Sequence, residues 1–336
     1  MRRRAACHDH RMSELRWASP TRGDDGAWVD LLAAIEAVDH RGESFELEDL
    51  DDEWASVWSH PETDALFGWD GEELVAFAWL KAMPGEREAH RVICWGGVRP
   101  SHRRRGIGTS VFEWSMRQAT EIARGFDGSL PVSVQVDATE RQPDVVAVAS
   151  AHGFEPVRHF VEIARAVADE VPELPAPDGL DLVPWSEALD EETRLAHLEA
   201  FADHWGSEPR TPEAWTQWYT GHRGFREDLS RLALHPASGQ VAGLVLCGAY
   251  PQDWACGPVE VWVTTVGTRP PWRGRGVARW LLAEVLRLAA VADDGFERAM
   301  LGVDEENPTG ALGLYRALGF TTDVRRMTLL VRGPLG

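Results

Sequence analysis

No two cysteines of this chain stand at the close spacing that zinc sites use. The four, Cys7, Cys94, Cys247 and Cys256, include no Cys-x-x-Cys pair, so neither a zinc site nor a disulfide framework is suggested. No histidine falls in ligand spacing with Cys, Asp or Glu partners, and no metal is expected. Long apolar runs are missing, which excludes a membrane-spanning helix. The opening "MRRRAACHDHRMSEL" is basic but lacks the apolar stretch of a secretory signal. Residues 1–12 read as a disordered leader, Met12 as an alternative start, and the chain as cytoplasmic. Cations are in deficit: 34 Lys and Arg face 54 Asp and Glu, a formal net charge of -20. That argues against nucleic acid or anionic membrane as the main partner. It suits a cationic substrate such as an amine, and equally a chain that is acidic for solubility alone. Tyrosine is scarce too: Tyr219, Tyr250 and Tyr315 all lie in the second half.

At 336 residues the chain exceeds what one hydrophobic core usually organises, so two domains are expected. The clearest break is "DEVPELPAPDGLDLVPW", whose prolines and acids read as a stiff, exposed linker over 169–179. The segments on either side follow one order: a short strand, two helices, a hairpin, a strand, a basic glycine turn, a helix, a strand, a short helix and a closing strand. "FVEIARAV" closes the first series and "RRMTLLV" the second. This is an internal duplication, with domains at 13–168 and 180–333. The expected fold class is α+β.

The repeated turn carries the chemistry. Arg103-Arg104-Arg105-Gly106-Ile107-Gly108 and Arg273-Gly274-Arg275-Gly276-Val277-Ala278 each follow a strand and open a helix. The first amides of a helix have no intrahelical acceptor, and the helix dipole makes that end attractive to an anion. Glycine removes the side chain that would keep a phosphate from the backbone, and arginine adds charge and forked donors. Neither helix starts with a Ser, Thr or Asp cap, which suits capping by a ligand. A P-loop would need Gly-Lys-Ser/Thr, and a dinucleotide fingerprint a third glycine and a later acid; both are missing. One such turn is equally an incidental basic surface loop. Two, at the same place in a repeated unit, are not.

"VTTVGTRPPWRGRGVARWLLAEVL" resembles the acetyl-CoA motif of the GCN5-related N-acetyltransferase (GNAT) superfamily, Arg/Gln-x-x-Gly-x-Gly/Ala, and "NPTGALGLYRALGF" resembles that family's next motif. The tandem arrangement resembles the mycothiol synthase group, in which the C-terminal domain is catalytic. The resemblance implies two GNAT-like domains, each a mixed, mostly antiparallel twisted sheet flanked by helices. It implies pantetheine binding by the backbone of Val266, Gly267 and Thr268, and pyrophosphate binding by Arg273 to Ala278. Asn307 and Tyr315 would lie near the thioester. The matching first-domain residues are Gly96, Gly97 and Val98, then Arg103 to Gly108.

Amine attack on a thioester needs a base for the amine, a donor for the oxyanion and an acid for the leaving thiolate. An amide near Val266 and the Tyr315 hydroxyl are the candidates for the last two. Opposite Tyr315 the first half has Ala149 or Ser150, depending on the alignment, and Arg141 or Gln142 stands for Asn307. The first domain therefore reads as non-catalytic. For the base, Glu260 and Glu208 stand level, with His204 behind; the family usually puts a glutamate nearer Trp262. Trp205, Trp215 and Trp218 are expected to wall the acceptor site or to pack in the core. The expected activity is acetyl transfer from acetyl-CoA to the primary amine of a small molecule, by direct attack in a ternary complex. A protein lysine or N-terminal acetyltransferase and a non-catalytic acyl-CoA sensor are the rivals. A monomer or homodimer is expected.

Overall fold

Alternating apolar residues and glycine-marked turns give each half of the sequence the same run of elements. In the computed structural model, which describes residues 15–85, 88–205, 207, 211–255, 257–306 and 310–332, these elements form two units. The first comprises the described residues up to His159 together with those from Arg326 onward; the second is Phe160–Arg325.

In chain order the elements are β1 (Arg16–Ala18), α1 (Asp25–Asp39), α2 (Leu50–Trp54), α3 (Pro61–Asp64), β2 (Ala65–Asp70), β3 (Glu73–Met83), β4 (His90–Val98), α4 (Ile107–Ala123), β5 (Val132–Thr139), α5 (Pro143–Ala151) and β6 (Glu155–Ala166). They continue with β7 (Asp181–Pro184), α6 (Asp190–Ala200), α7 (Pro212–Trp215), β8 (Arg231–His235), β9 (Gln240–Gly248), β10 (Glu260–Thr268), α8 (Val277–Val291), β11 (Arg298–Asp304), α9 (Ala311–Arg316) and β12 (Thr321–Arg332). The expected helix over "TPEAWTQWY" is a short α-turn followed by a π-helical turn at Thr216–Thr220, closed by Gly221 N–H donating to Thr216 O.

The two sheets have one pairing scheme, mixed and mostly antiparallel. In the first unit β1, β2, β3 and β4 pair antiparallel in succession, β4 pairs parallel with β5, and β5 pairs antiparallel with residues 326–332 of β12. In the second, β7, β8, β9 and β10 pair antiparallel, β10 pairs parallel with β11, and β11 pairs antiparallel with residues 160–166 of β6. The last strand of each half of the sequence thus completes the sheet of the other unit. This differs from the expectation that "FVEIARAV" and "RRMTLLV" close their own domains at 168 and 333. Either strand can satisfy either edge, because an antiparallel ladder is made by backbone groups that every sequence carries. Val161 and Ile163 sit in the second unit's core.

α4 lays Ile107, Val111, Ser115 and Ala119, spaced by four, on its sheet. α8 buries Val277, Leu281, Val285 and Ala289 at the same spacing, plus Trp280, Leu282 and Leu286. On the opposite faces lie α1 with Trp28, Leu31 and Leu32, and α6 with Ala196. The Pro-rich segment after β6, expected as an exposed linker, packs Val171 and Leu174 on the second core, and Arg287 donates to Pro172 O at 2.7 Å.

Candidate active site

In an antiparallel ladder every second residue turns both its N–H and its C=O to the neighbouring strand. Arg269 N–H donates to Ala242 O, in register with the β9–β10 pairing. Gly267 and Thr265 therefore bond β9, and Val266 and Thr268 turn their amides to the other edge of β10. Among the described residues no strand pairs with that edge there, because the parallel pairing with β11 ends at Trp262 opposite Met300. The same arithmetic holds in the first unit. Arg99 N–H donates to Val75 O, Gly96 and Val98 face outward, and the β4–β5 pairing ends at Ile93 opposite Gln135. Gly267 and Gly97, expected to touch the ligand, instead admit a helix. A Cβ on Gly267 would lie 3.1 Å from Phe201 and 3.2 Å from Ala200, and one on Gly97 2.6 Å from Ile35.

Beyond the vacant edges come the turns. Gly276 (φ 81°) and Gly106 (φ 84°) are the N-caps of α8 and α4, and neither helix has a side-chain cap. The first intrahelical bonds come from Trp280 and Ser110. The amides of Val277, Ala278 and Arg279, and of Ile107, Gly108 and Thr109, are thus free of intrahelical acceptors. Gly274 has φ 76°; its counterpart Arg104 takes φ 64°, a conformation unusual for a residue with a side chain.

The cradle arginines divide by task. Arg273 Nε donates to Thr268 O at 3.2 Å, Nη2 to Ala200 O at 2.9 Å, and Nη1 lies 3.3 Å from Asp203. Arg103 repeats this with Val98 O at 3.0 Å and with both carboxylate oxygens of Asp39 at 2.6 and 3.0 Å. These two side chains brace the strand end against the preceding helix. Arg104 meets Asp144 and Arg105 donates to Ser101 O, whereas Arg275 is exposed. Thr268 Oγ1 and Arg279 Nε are buried with no hydrogen-bond partner among the described residues. Orphaned polar atoms beside a bare helix start fit a polar ligand that completes them. Sequence reasoning missed Arg269, 2 % exposed, whose Nη1 donates to Glu192 at 2.7 Å, and its counterpart Arg99, paired with Asp30 at 2.5 Å.

The units part company at the mouth of the cleft. The β9–β10 register slips between Val263 and Thr265, leaving Thr264 as a bulge. The β3–β4 register runs without a slip. The bulge has a trace in the sequence: Val261, Val263 and Val266 all reach one core, so the apolar phase changes from odd to even. Val92, Cys94 and Val98 keep one phase.

Tyr315 is 7 % exposed, its ring meets Phe320 edge-on at 6.1 Å, and burial pushes its phenol up to about 12. Phe320 N–H and Leu318 N–H both donate to Tyr315 O. The bond of Phe154 N–H to Ala149 O is the equivalent one, so Ala149, rather than Ser150, is the counterpart of Tyr315. Glu260 is bound to Arg298, which reaches it through Nε at 3.0 Å and through Nη2. The structure thus gives Glu260 a guanidinium partner. His204 follows α6 in a loop beside Asp304, Arg273 and Asp203. Burial holds its imidazole below the usual value, Arg273 acts in the same direction, and the two carboxylates oppose. Trp215 is core: 1 % exposed, donating to Asp190 at 2.9 Å and stacked on Tyr219 at 4.5 Å. Trp218 is 37 % exposed, and Trp205 lies 6.4 Å from Phe160. Glu208 and Asn307 lie outside the described residues. No group of three His, Cys, Asp or Glu placed to hold a metal occurs among the described residues, and no described helix is long and apolar enough to cross a membrane.

Two strands that part after a short parallel pairing, followed by a glycine turn and a bare helix start, define a site for an extended, anion-ended ligand, present twice. The pattern of the acetyltransferase (GNAT) family matches residues 27–154 and 188–320, and the chain belongs to that family. It is an acyl-CoA-dependent N-acetyltransferase of tandem architecture. Its relatives include a mycothiol acetyltransferase of Parafrankia sp. (strain EAN1pec), 28% identical, covering 92% of this chain and 95% of that one. Another, from Nocardiopsis dassonvillei, is 31% identical and covers 74% and 77%. Among solved structures, a GCN5-related N-acetyltransferase from Sphaerobacter thermophilus superposes with a TM-score of 0.72 at 25% identity, covering 95% of this chain and 96% of that one. A tandem GNAT protein from the clavulanic acid biosynthesis pathway shares the fold, with a TM-score of 0.70 at 18% identity and coverage of 96% and 99%.

Proposed function

We propose that the second unit moves acetyl from acetyl-CoA to a primary amine of a small molecule by direct attack in a ternary complex, and that the first unit does not catalyse. The observation that carries this is the confinement of the bulge and of Tyr315 to the unit whose cradle also keeps an exposed arginine, Arg275, with no ion-pair partner among the described residues. The mycothiol acetyltransferase relatives make the amine precursor of mycothiol the first acceptor to test.

When bound, acetyl-CoA supplies an acetyl thioester. Val266 and Thr268 present N–H donors to its pantetheine arm along the vacant edge. The amides of Val277, Ala278 and Arg279, with Arg275, hold the pyrophosphate at the positive end of α8. The bulge sets where the Val266 amide meets the carbonyl oxygen, which gains negative charge as the amine adds. Tyr315, protonated throughout the neutral range, donates to the departing sulfur. His204, held neutral by burial, accepts the amine proton and is favoured over Glu260, whose carboxylate already serves Arg298. Direct transfer fits the described cysteines: burial pushes the thiols of Cys94 and Cys247 up to about 12, far from a thiolate nucleophile.

Calorimetric titration of acetyl-CoA into the full chain, Gly106→Glu and Gly276→Glu tests the cradles, and turnover of Tyr315→Phe tests the chemistry. Gly276→Glu is expected to abolish the productive site, and Tyr315→Phe to lower kcat about 100-fold. Undiminished turnover of Tyr315→Phe removes the acid, and failure of the wild type to bind acetyl-CoA removes the whole reading.

A further inference from the structure

A side chain at position 248 would press on its neighbours. A Cβ on Gly248 would lie 3.2 Å from Tyr250 Oη and 3.2 Å from Thr264 Cγ2. Gly248 stands opposite Trp262, the last β10 residue paired with β11, and next to the bulge. A second glycine makes the same allowance. A Cβ on Gly224 would lie 2.5 Å from Tyr250 Cε1 and 2.9 Å from Cδ1. Two glycines therefore clear the lane along which the phenol crosses the end of β9. Its hydroxyl and the Thr264 methyl both border the place that a side chain on Gly248 would take. The lane is held in place by the His222 ring, 13° from parallel with Tyr250 at 6.2 Å, and by Ala249 N–H donating to Gly224 O at 2.8 Å.

The first unit shows that packing does not demand this arrangement. Counting along β3 and β9 from Ala76 opposite Val98 and Gly243 opposite Thr268, the counterparts of Gly248 and Tyr250 are Lys81 and Met83. Lys81 fills the place of the missing side chain, its Nζ 2.8 Å from Glu53, and Met83 is buried. The same strand end is plugged in one unit and cleared around a hydroxyl in the other. The cleared side is the face of β9 that carries Leu244 and Leu246 toward α6, and Thr264 on the adjoining strand is exposed.

We infer that Tyr250 is an acceptor-binding residue, its Oη placed by Gly224 and Gly248 to take a hydrogen bond from the attacking amine at the bulge. This rests on the acetyl-transfer reading of the second unit. A neutral primary amine has two N–H groups and one lone pair. With one N–H on Tyr250 Oη, the lone pair is aimed at the thioester carbonyl carbon. The C–N bond forms, the C–S bond breaks, the thiolate takes its proton from Tyr315, and the surplus amine proton goes to His204 or water.

The test is steady-state kinetics of the full chain with acetyl-CoA and the amine precursor of mycothiol, alongside the amine-independent hydrolysis of acetyl-CoA. Tyr250→Phe removes one oxygen and keeps the ring. It is expected to lower kcat/KM for the amine about tenfold, the loss of one hydrogen bond, with the KM for acetyl-CoA and the hydrolysis rate within about twofold of wild type. Gly248→Ala, which puts a methyl against the hydroxyl from the opposite side, is expected to give the same selective loss. A kcat/KM for the amine within twofold of wild type in Tyr250→Phe overturns the assignment. So does an equal loss in amine-independent hydrolysis, which would mark a general disturbance of the cleft. Absence of transfer by the wild-type chain is a different result: it overturns the acceptor reading and the Tyr250 assignment together.

Discussion

The two units share the backbone of the cradle and differ in its free arginine side chain, in the strand beside it and in the short helix that follows. Both have a strand with outward amides, a neighbour that stops pairing early, an arginine brace to the preceding helix and a left-handed glycine at a bare helix start. Only the second has the slip at Thr264, a phenol at 315 and a glycine at 248. In the first those places hold an unbroken ladder, Ala149 and Lys81. The sheet face beside α1 is filled with packed aromatics, Trp28 stacked on Trp79 at 4.7 Å and Phe77 edge-on to Trp95 at 5.0 Å. The comparison teaches that the strand–turn–helix cradle is a property of backbone geometry, which duplication preserves. The features that differ are single residues, which substitution readily erases or creates.

The largest expected effect comes from making the second unit resemble the first. Deleting Thr264 restores an unbroken β9–β10 ladder like that of β3–β4. Turnover is expected to fall roughly 100-fold or more, as for loss of a positioned oxyanion donor, while titration still finds acetyl-CoA bound. Unchanged turnover would erase the distinction drawn from the bulge. Next in size is the pH dependence of kcat. A base held below the ordinary imidazole value of 6.5 is neutral and active at neutral pH, so the acid limb should lie below 6.5 and disappear in His204→Ala. With Tyr315 near 12, no alkaline limb from the acid is expected in the accessible range. An acid limb that survives His204→Ala assigns the proton acceptor elsewhere. The smallest effect is expected from Gly274→Arg, which copies Arg104 into the second turn. A side chain at φ 76° costs about 1 kcal/mol, read as a lower Tm, with acetyl-CoA binding little changed. A larger loss of binding would show that the second cradle, unlike the first, needs the bare backbone at that point.

Much of this was legible before any coordinates. The duplication, the two strand–turn–helix cradles and the α+β class follow from apolar periodicity and glycine placement, which act over a few residues and leave their mark locally. The bulge was legible in principle, as the phase change among Val261, Val263 and Val266. Other roles depend on partners that no local pattern names. Arg273 and Arg103 read as phosphate ligands, and it took Ala200, Asp203 and Asp39, far away in sequence, to make them braces. Glu260 reads as a base until Arg298 arrives on the adjoining strand. The choice of Ala149 as the counterpart of Tyr315 came from a backbone bond in each short helix turn.

What the sequence by itself determined is the set of elements and the chemistry each can offer, because propensity, periodicity and capping are local energies. What only the tertiary structure decided is who meets whom: which sheet takes β6 and which takes β12, which arginines remain free, and which glycines open the lane for Tyr250. The physical reason is that backbone ladders and ion pairs are generic in their chemistry. Any strand edge can accept any strand and any arginine any carboxylate, and only the packing of the whole chain selects among them.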